Sequence, residues 1–314
     1  MKTILTSGWG LNTRLVLGET HKPTPRDYEV LVEVGAASVN PKDWKLNYHL
    51  AILATPLGIH HLPPLFGDDL AGIIVAKGCK VTRFEVGDAV YGMDMRLRTA
   101  SLAEYAVINE CRIAHMPTNI NFNEAASVPL AAQTALQGLR KGNARVGSAV
   151  LIIGASGGVG TFAVQIAKAM GCQVTAVCGT NNVGLVKSLG ADSVIDYRQH
   201  DYRKIDEKFD IVFDVTAYET PTSCANLLKY NAFFISTAGT ARALFTALRH
   251  QKQRTAIIKV ESYQDDLNTI TKWIESGLVK PVIDSIFPLK DSQKAYEKSR
   301  SGRACGKIVI EVKP

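Results

Sequence analysis

The chain has 314 residues, of which 46% are hydrophobic and 21% charged, and its formal net charge is +7. That length exceeds one ordinary core and suits two domains of a globular protein. No run approaches the roughly 18 consecutive apolar residues of a membrane span, and the opening M-K-T-I-L-T-S-G-W-G has too short an apolar stretch for a secretory signal. A cytoplasmic protein with no membrane partner is therefore expected.

The positive charge is dispersed. Its densest group is Arg249, His250, Lys252 and Arg254, too sparse for a nucleic-acid-binding face. The six cysteines form no C-x-x-C pair, which predicts reduced thiols rather than a disulfide frame or a zinc lobe.

Up to Pro117 the chain reads β-rich. Residues 28–39, Y-E-V-L-V-E-V-G-A-A-S-V, alternate as a half-buried strand does, and 69–78 and 87–93 are further strands closed by glycine turns. Residues 123–139 have a helical pattern interrupted by Pro129. Strands are then predicted at 149–154, 173–178, 193–196, 210–215, 232–237 and 256–260. Helices are predicted between them at 159–170, 182–189, 219–229 and 241–250. This alternation implies a parallel sheet covered on both faces. A helix at 263–276 carries Leu267, Ile270 and Ile274 on one face and ends at Gly277. The tail, 306–312, is a strand that should return to the first domain's sheet.

The stretch G-A-S-G-G-V-G at 154–160 lies between a strand and a helix. Aligned with the dinucleotide fingerprint, Ala155 takes the first glycine's place and Gly157 and Gly160 the other two. Gly157 would let a pyrophosphate approach the backbone, and Gly160 would let the helix pack closely on the strand. The N–H groups of Ser156, Gly158 and Val159 are expected to meet the pyrophosphate, with the helix dipole behind them. After the second strand no carboxylate stands between Gln173 and Val183. Gly179, Thr180, Asn181 and Asn182 take its place, with Lys187 and Arg198 further on. A carboxylate would repel a 2′-phosphate, whereas this polar loop accepts one, so the expected cofactor is NADPH (NADP) rather than NADH. The arginine expected beside this loop is absent.

These segments, together with S-V-N-P-K-D (38–43), F-G-D-D-L-A-G (66–72), F-E-V-G-D-A-V-Y-G (84–92), A-A-S-V-P-L-A-A-Q-T-A (125–135), L-G-A-D-S-V-I-D-Y (189–197) and G-R-A-C-G-K-I-V-I (302–310), resemble one family over nearly the whole length. It is the zinc-free branch of the medium-chain dehydrogenase/reductase superfamily, the quinone oxidoreductase-like proteins. The resemblance implies an α/β chain with a GroES-like β-rich catalytic domain (1–120, completed by 285–314) and a doubly wound Rossmann domain binding NADP (121–284). Zinc-dependent relatives carry a cysteine in the segment aligned with Asn40–Asp43 and a His-Glu pair at Asp68-Asp69. They also carry a four-cysteine lobe after Tyr91. None of these ligands is present here, so no zinc is expected. His60-His61 lies in a proline-rich loop without a cysteine nearby, and a packing or solvated role is expected for it.

Without a Lewis acid, the resemblance implies hydride transfer to an electrophilic carbon of a quinone or of the C=C bond of an α,β-unsaturated carbonyl. Hydrogen-bond donors would take the developing oxygen charge. It places Asn40 and Thr134 near the nicotinamide and substrate. Asn40 is read equally well as an amide donor or as an Asx-type turn before Pro41. Lys45 is a candidate oxyanion donor and Tyr48 a candidate proton donor, while Asp69 is expected to cap turns. Tyr197 matches a position near the 2′-phosphate, and Ala238 and Gly239 one near the nicotinamide ribose. Relatives often have an arginine where this chain has Cys305, and Arg303 is its candidate substitute. A homodimer is expected by the same resemblance. A 2-enoyl thioester reductase and an NADPH-binding protein with little catalysis stay open as alternatives.

Overall fold

The computed structural model describes residues 1–7, 14–43, 67–95, 99–237 and 254–313. They form two compact units. One comprises 1–130, 261–272 and 281–314, and the other 131–260 and 273–280.

The first unit is built on β3 (Glu29–Val39), β4 (Asp69–Lys77), β5 (Ala89–Met93), β6 (Tyr105–Asn109), β7 (Ile113–His115), β14 (Ile283–Pro288) and β15 (Lys307–Glu311). The sheet order is β14-β15-β3-β4-β5-β7, with β6 also on β3. A separate hairpin pairs β1 (Lys2–Ser7) with β2 (Arg14–Glu19). The alternation read at 28–39 becomes β3, which is almost wholly buried because strands pair on both sides of it. The tail returns as expected: β15 runs antiparallel to β3, Ile308 opposite Val39. Gly67 turns the chain into β4 at φ 84°, and a Cβ there would lie 2.2 Å from Ser101 Oγ. Helix α1 (Phe122–Ala126) starts with a capping box, Asn121 Oδ1 accepting from Glu124 N–H and Glu124 Oε2 from Asn121 N–H, both at 3.0 Å. Pro129 then opens α2 (Pro129–Lys141) at the one helical position where its missing N–H costs nothing.

The second unit is a six-stranded, all-parallel sheet. Its strands are β8 (Ala149–Ile153), β9 (Gln173–Cys178), β10 (Ser193–Asp196), β11 (Phe209–Asp214), β12 (Leu228–Ser236) and β13 (Arg254–Ile257). The order is β10-β9-β8-β11-β12-β13, the doubly wound arrangement whose reversal falls between β8 and β11. Helices α3 (Gly158–Ala169) and α4 (Val183–Ser188) make the first crossovers. Phe162, Phe209, Phe213 and Phe234 are its largest fully buried side chains. Helix α5 (Gln264–Glu275) buries Leu267, Ile270 and Ile274 and ends at Gly277, φ 76°. Helix α6 (Ser292–Arg300) belongs to the first unit, where it precedes β15.

The helix predicted at 219–229 does not form. Thr220 N–H donates to Ser223 Oγ at 2.9 Å and Ser223 N–H to Thr220 Oγ1 at 3.1 Å, so local hydroxyls take the amides a helix needs. Pro221 removes another donor. Only a 3-10 turn at Ala225–Leu227 precedes β12. The helix predicted at 241–250 lies outside the described residues.

Gly138 on α2 faces Phe213 of β11 so closely that a Cβ would sit 2.5 Å from the ring. Gly138→Ala should cost about 1–3 kcal/mol of stability by overpacking, read as a lowered denaturant midpoint at unchanged slope. An unchanged midpoint would mean that the helix sits further from the sheet.

Candidate active site

Register decides what gathers in the first unit. Ile308 opposes Val39 and Ser38 opposes Asp69. With side chains alternating at period two, Lys307, Asn40, Ser38 and Asp69 fall on one face across β15, β3 and β4. They meet there. Asp69 is wholly buried, and its Oδ2 accepts from Ser38 Oγ at 2.5 Å, Asn40 Nδ2 at 2.8 Å and Lys307 Nζ at 3.3 Å. Its Oδ1 takes the Leu130 N–H at the start of α2, 2.8 Å away. Lys307 Nζ also donates to Asn40 Oδ1 at 2.5 Å. Lys307 is 4% exposed and Asn40 2%. A buried charge persists only when paired and hydrogen-bonded, and Asp69 is both.

The turn after β3 is closed by Asp43, whose Oδ2 accepts from Asn40 N–H at 2.8 Å while Asp43 N–H donates to Asn40 O at 3.0 Å. The Asn40 side chain therefore does not make the Asx-type turn. Four carboxylates are buried around it: Asp43, Asp68, Asp69 and Asp94. Asp68 pairs with Lys42 at 2.7 Å, Asp69 with Lys307 and Asp94 with Arg112 at 3.1 Å. Among the described residues Asp43 has no such ion pair. Burial first, then the Asp68 charge, pushes its carboxyl well above the usual range. Burial raises Asp68 to about 6 despite Lys42. Burial also raises the Tyr296 hydroxyl, with the neighbouring Asp43 and Asp68 charges adding to it.

In the second unit the glycine-rich turn leaves β8 at its C-terminal end. The backbone demand falls on Gly154, at φ 86°, where a Cβ would lie 2.4 Å from Thr216 Cγ2. Ala155, aligned with the first fingerprint glycine, has no positive φ, so the turn is made one residue earlier than that alignment puts it. A Cβ on Gly160 would lie 2.1 Å from Gly154 O, whereas at Gly157 the nearest atom is 3.5 Å away. Gly160 thus serves packing, and Gly157 leaves its corner open. Gly157 caps α3 without a side chain, and the first helical bond runs from Thr161 N–H to Gly157 O at 2.9 Å. The amides of Gly158, Val159 and Gly160 precede that bond and have no helical acceptor. This open corner at an uncapped helix N-terminus fits a dinucleotide pyrophosphate. Beside it, at the end of β11, Asp214 is wholly buried and accepts from Thr216 N–H, Ala217 N–H and Glu219 N–H. That turn holds Ala217 at φ 63°.

The loop after β9 touches the glycine turn through Asn182 Nδ2, which donates to Ser156 Oγ at 3.0 Å. Thr180 and Asn181 are exposed. A Cβ at Gly179 would lie 3.3 Å from Tyr197 Oη and 3.5 Å from Arg198 Nε. The arginine that the β9 loop lacks in sequence is therefore supplied from the end of β10. A carboxylate arrives from there too. Asp196 is buried, and hydrogen bonding from Thr180, then from the Arg198 amide at 3.0 Å, holds it below the usual range. Its charge is turned inward and offset by Arg198.

Thr134 lies on α2, 5% exposed. Lys45, Tyr48, His60, His61, Ala238 and Gly239 lie outside the described residues. Arg303 is exposed, and Cys305 N–H donates to Asp284 Oδ1 at 2.9 Å. Sequence reasoning passed over Lys307 and placed Arg198 only as lying further on from the β9 loop, without a role in the site. The signals were a lysine opening the apolar run K-I-V-I and an arginine after V-I-D-Y.

Two family models match the chain, the alcohol dehydrogenase GroES-like domain at residues 26–118 and the zinc-binding dehydrogenase at 189–310. The chloroplast envelope quinone oxidoreductase homolog of Arabidopsis thaliana is 32% identical over 92% of this chain and 91% of its own. This chain belongs to the quinone oxidoreductase-like family of medium-chain dehydrogenases/reductases. Within that family, the 2-methylene-furan-3-one reductase of Solanum lycopersicum is 33% identical over 93% of this chain and 74% of its own. The quinone oxidoreductase structure from Coxiella burnetii superposes with a TM-score of 0.89 at 28% identity, covering 100% of this chain and 99% of that one. The family's two-part architecture, a GroES-like unit and a parallel Rossmann-like sheet, is the one described above.

Two expected outcomes follow from this geometry. Gly157→Ala should leave the melting temperature near wild type and weaken dinucleotide binding, whereas Gly160→Ala should lower the melting temperature of the unliganded protein, as differential scanning fluorimetry and titration calorimetry can separate. Folding raises the Asp68 pKa, so its contribution to stability is full below about pH 4 and is lost as pH rises through about 6. Relative to wild type, Asp68→Asn should gain about 2–3 kcal/mol between pH 4 and pH 7. Parallel stability curves for the two proteins would contradict the raised value.

Proposed function

We infer that the chain is an oxidoreductase that uses NADPH to reduce a quinone or the C=C bond of an α,β-unsaturated carbonyl, without zinc. The observation that carries this reading is the cradle at the β8–α3 turn, with an open glycine corner and an arginine and a tyrosine at the adjoining loop. When bound there, the nicotinamide dinucleotide supplies the hydride. The residues that would hold it are Ser156, Gly157, Gly158 and Val159 at the pyrophosphate. Gly179, Thr180, Asn181, Tyr197 and Arg198 would hold the 2′-phosphate, and Ala238 and Gly239 would lie at the nicotinamide ribose. Relatives support the acceptor class by their names. One is an NADPH-dependent alkenal/one oxidoreductase of Arabidopsis thaliana, 33% identical over 92% of this chain.

Asn40, Lys45 and Thr134 are the residues proposed to act on the acceptor. Asn40 offers an N–H to the oxygen that gains charge as the electrophilic carbon accepts the hydride. The zinc-free reading is supported by the chemistry of the donor set. Asp68 and Asp69 are engaged by the ammonium groups of Lys42 and Lys307, and an amide stands at Asn40. The protein is proposed to be cytoplasmic, and no helix among the described residues is long and apolar enough to cross a bilayer. A homodimer is proposed through the sheet edge at β13, whose backbone groups can pair with a second copy.

Steady-state loss of reduced cofactor tests the reading with a naphthoquinone, a short aliphatic enone and a 2-enoyl thioester as acceptors. Turnover with quinone or enone, faster with NADPH than NADH and unchanged by a chelator, is expected. Preference for the thioester would favour an enoyl thioester reductase, and tight NADPH binding without turnover would leave only a binding protein. Arg198→Ala should weaken NADPH binding on the order of tenfold while leaving NADH within about twofold, the difference of one charge-assisted contact.

A further inference from the structure

We propose that Lys307 is a positioning residue that fixes the side-chain amide of Asn40 in the one orientation that presents its spare N–H to the acceptor oxygen. This rests on the reading of Asn40 as the donor. The amide has two ends, and its neighbours leave no freedom in assigning them. An ammonium group only donates, so Lys307 Nζ, 2.5 Å away, demands Oδ1. The paired carboxylate of Asp69 only accepts, so at 2.8 Å it demands Nδ2. Flipping the amide would set N–H groups against the ammonium and a carbonyl oxygen against the carboxylate, losing both bonds at once. One Nδ2 hydrogen is used on Asp69. The other has no acceptor among the described residues, and the same two bonds aim it.

Neutralising Asp69 does not require Asn40. Lys307 reaches Asp69 directly at 3.3 Å, and Ser38 Oγ and the Leu130 amide donate to it as well. An amide buried to 2% exposure adds desolvation cost to a pair already satisfied, so its clamping needs a separate reason. The main-chain link of Asn40 to Asp43 fixes the backbone, and the bonds to Lys307 and Asp69 fix the side chain. The two partners come from strands far apart in sequence, so the orientation depends on the assembled sheet rather than on the local turn.

A double-mutant cycle tests this with enone as acceptor. Lys307→Met should lower kcat on the order of 10–100-fold through misplacement of the donor, with KM for NADPH little changed. In the Asn40→Ala background the same substitution should cost nothing further, within about twofold. Asp69→Asn/Lys307→Met, which leaves no buried charge unpaired, goes through the same comparison should Lys307→Met fail to fold. A readout independent of activity is the Asn40 side-chain amide resonance pair, identified by its loss in Asn40→Ala. It should move in the folded Lys307 variant. Equal losses in both backgrounds, or an unmoved resonance with full kcat, would overturn the proposal alone. A fully active Asn40→Ala enzyme would remove the donor reading and the proposal with it.

Discussion

The first unit is organised around a buried charge. Asp69 is wholly buried and ionic, and such a group persists only when it is paired and hydrogen-bonded. The partners are four residues at three places in the chain: Ser38 and Asn40 at the end of β3, Lys307 at the start of β15, and the amide of Leu130 at the start of α2. One carboxylate thereby sets the register of three neighbouring strands and the entry of a helix. Shifting either pairing by one residue would move Lys307 or Asn40 to the opposite face and strand the charge. The C-terminal strand is therefore part of the proposed site as well as of the sheet.

The second unit solves a different problem, holding a strongly anionic ligand with little side-chain charge. The groups proposed to do so are backbone amides at an uncapped helix start, a glycine corner with open space, and one arginine delivered from the next strand. The two kinds of glycine in the same turn illustrate the economy. Gly154 and Gly160 are required by backbone and neighbouring atoms that a Cβ would strike, while at Gly157 a Cβ would meet nothing closer than 3.5 Å, the space proposed for the pyrophosphate.

Much of this was legible in the sequence. Period-two alternation gave β3, apolar runs gave the parallel strands, and Gly277 marked the end of α5, because each signal is local. The glycine turn was legible because strand, turn and helix are contiguous. The clamp on Asn40 was not, since Lys307 becomes its neighbour only through the pairing of β15 with β3. Arg198 was visible in the sequence but its place beside the β9 loop was not, for the same reason: it is distant from that loop in sequence and adjacent only across β9 and β10. The region 219–229 misled because its apolar spacing suits a helix while its Thr, Pro and Ser residues take the backbone into turns. Hydroxyl competition of that kind is a contest of a few local bonds, which a hydrophobic pattern does not record.

The account depends most directly on where the hydride goes. An enone should be reduced with NADPH carrying deuterium at the transferring position, and the product examined by NMR. The account predicts one deuterium on the β-carbon of a saturated ketone, with the α-carbon proton drawn from solvent. Deuterium on the carbonyl carbon of an allylic alcohol, the signature of an alcohol dehydrogenase, would contradict it.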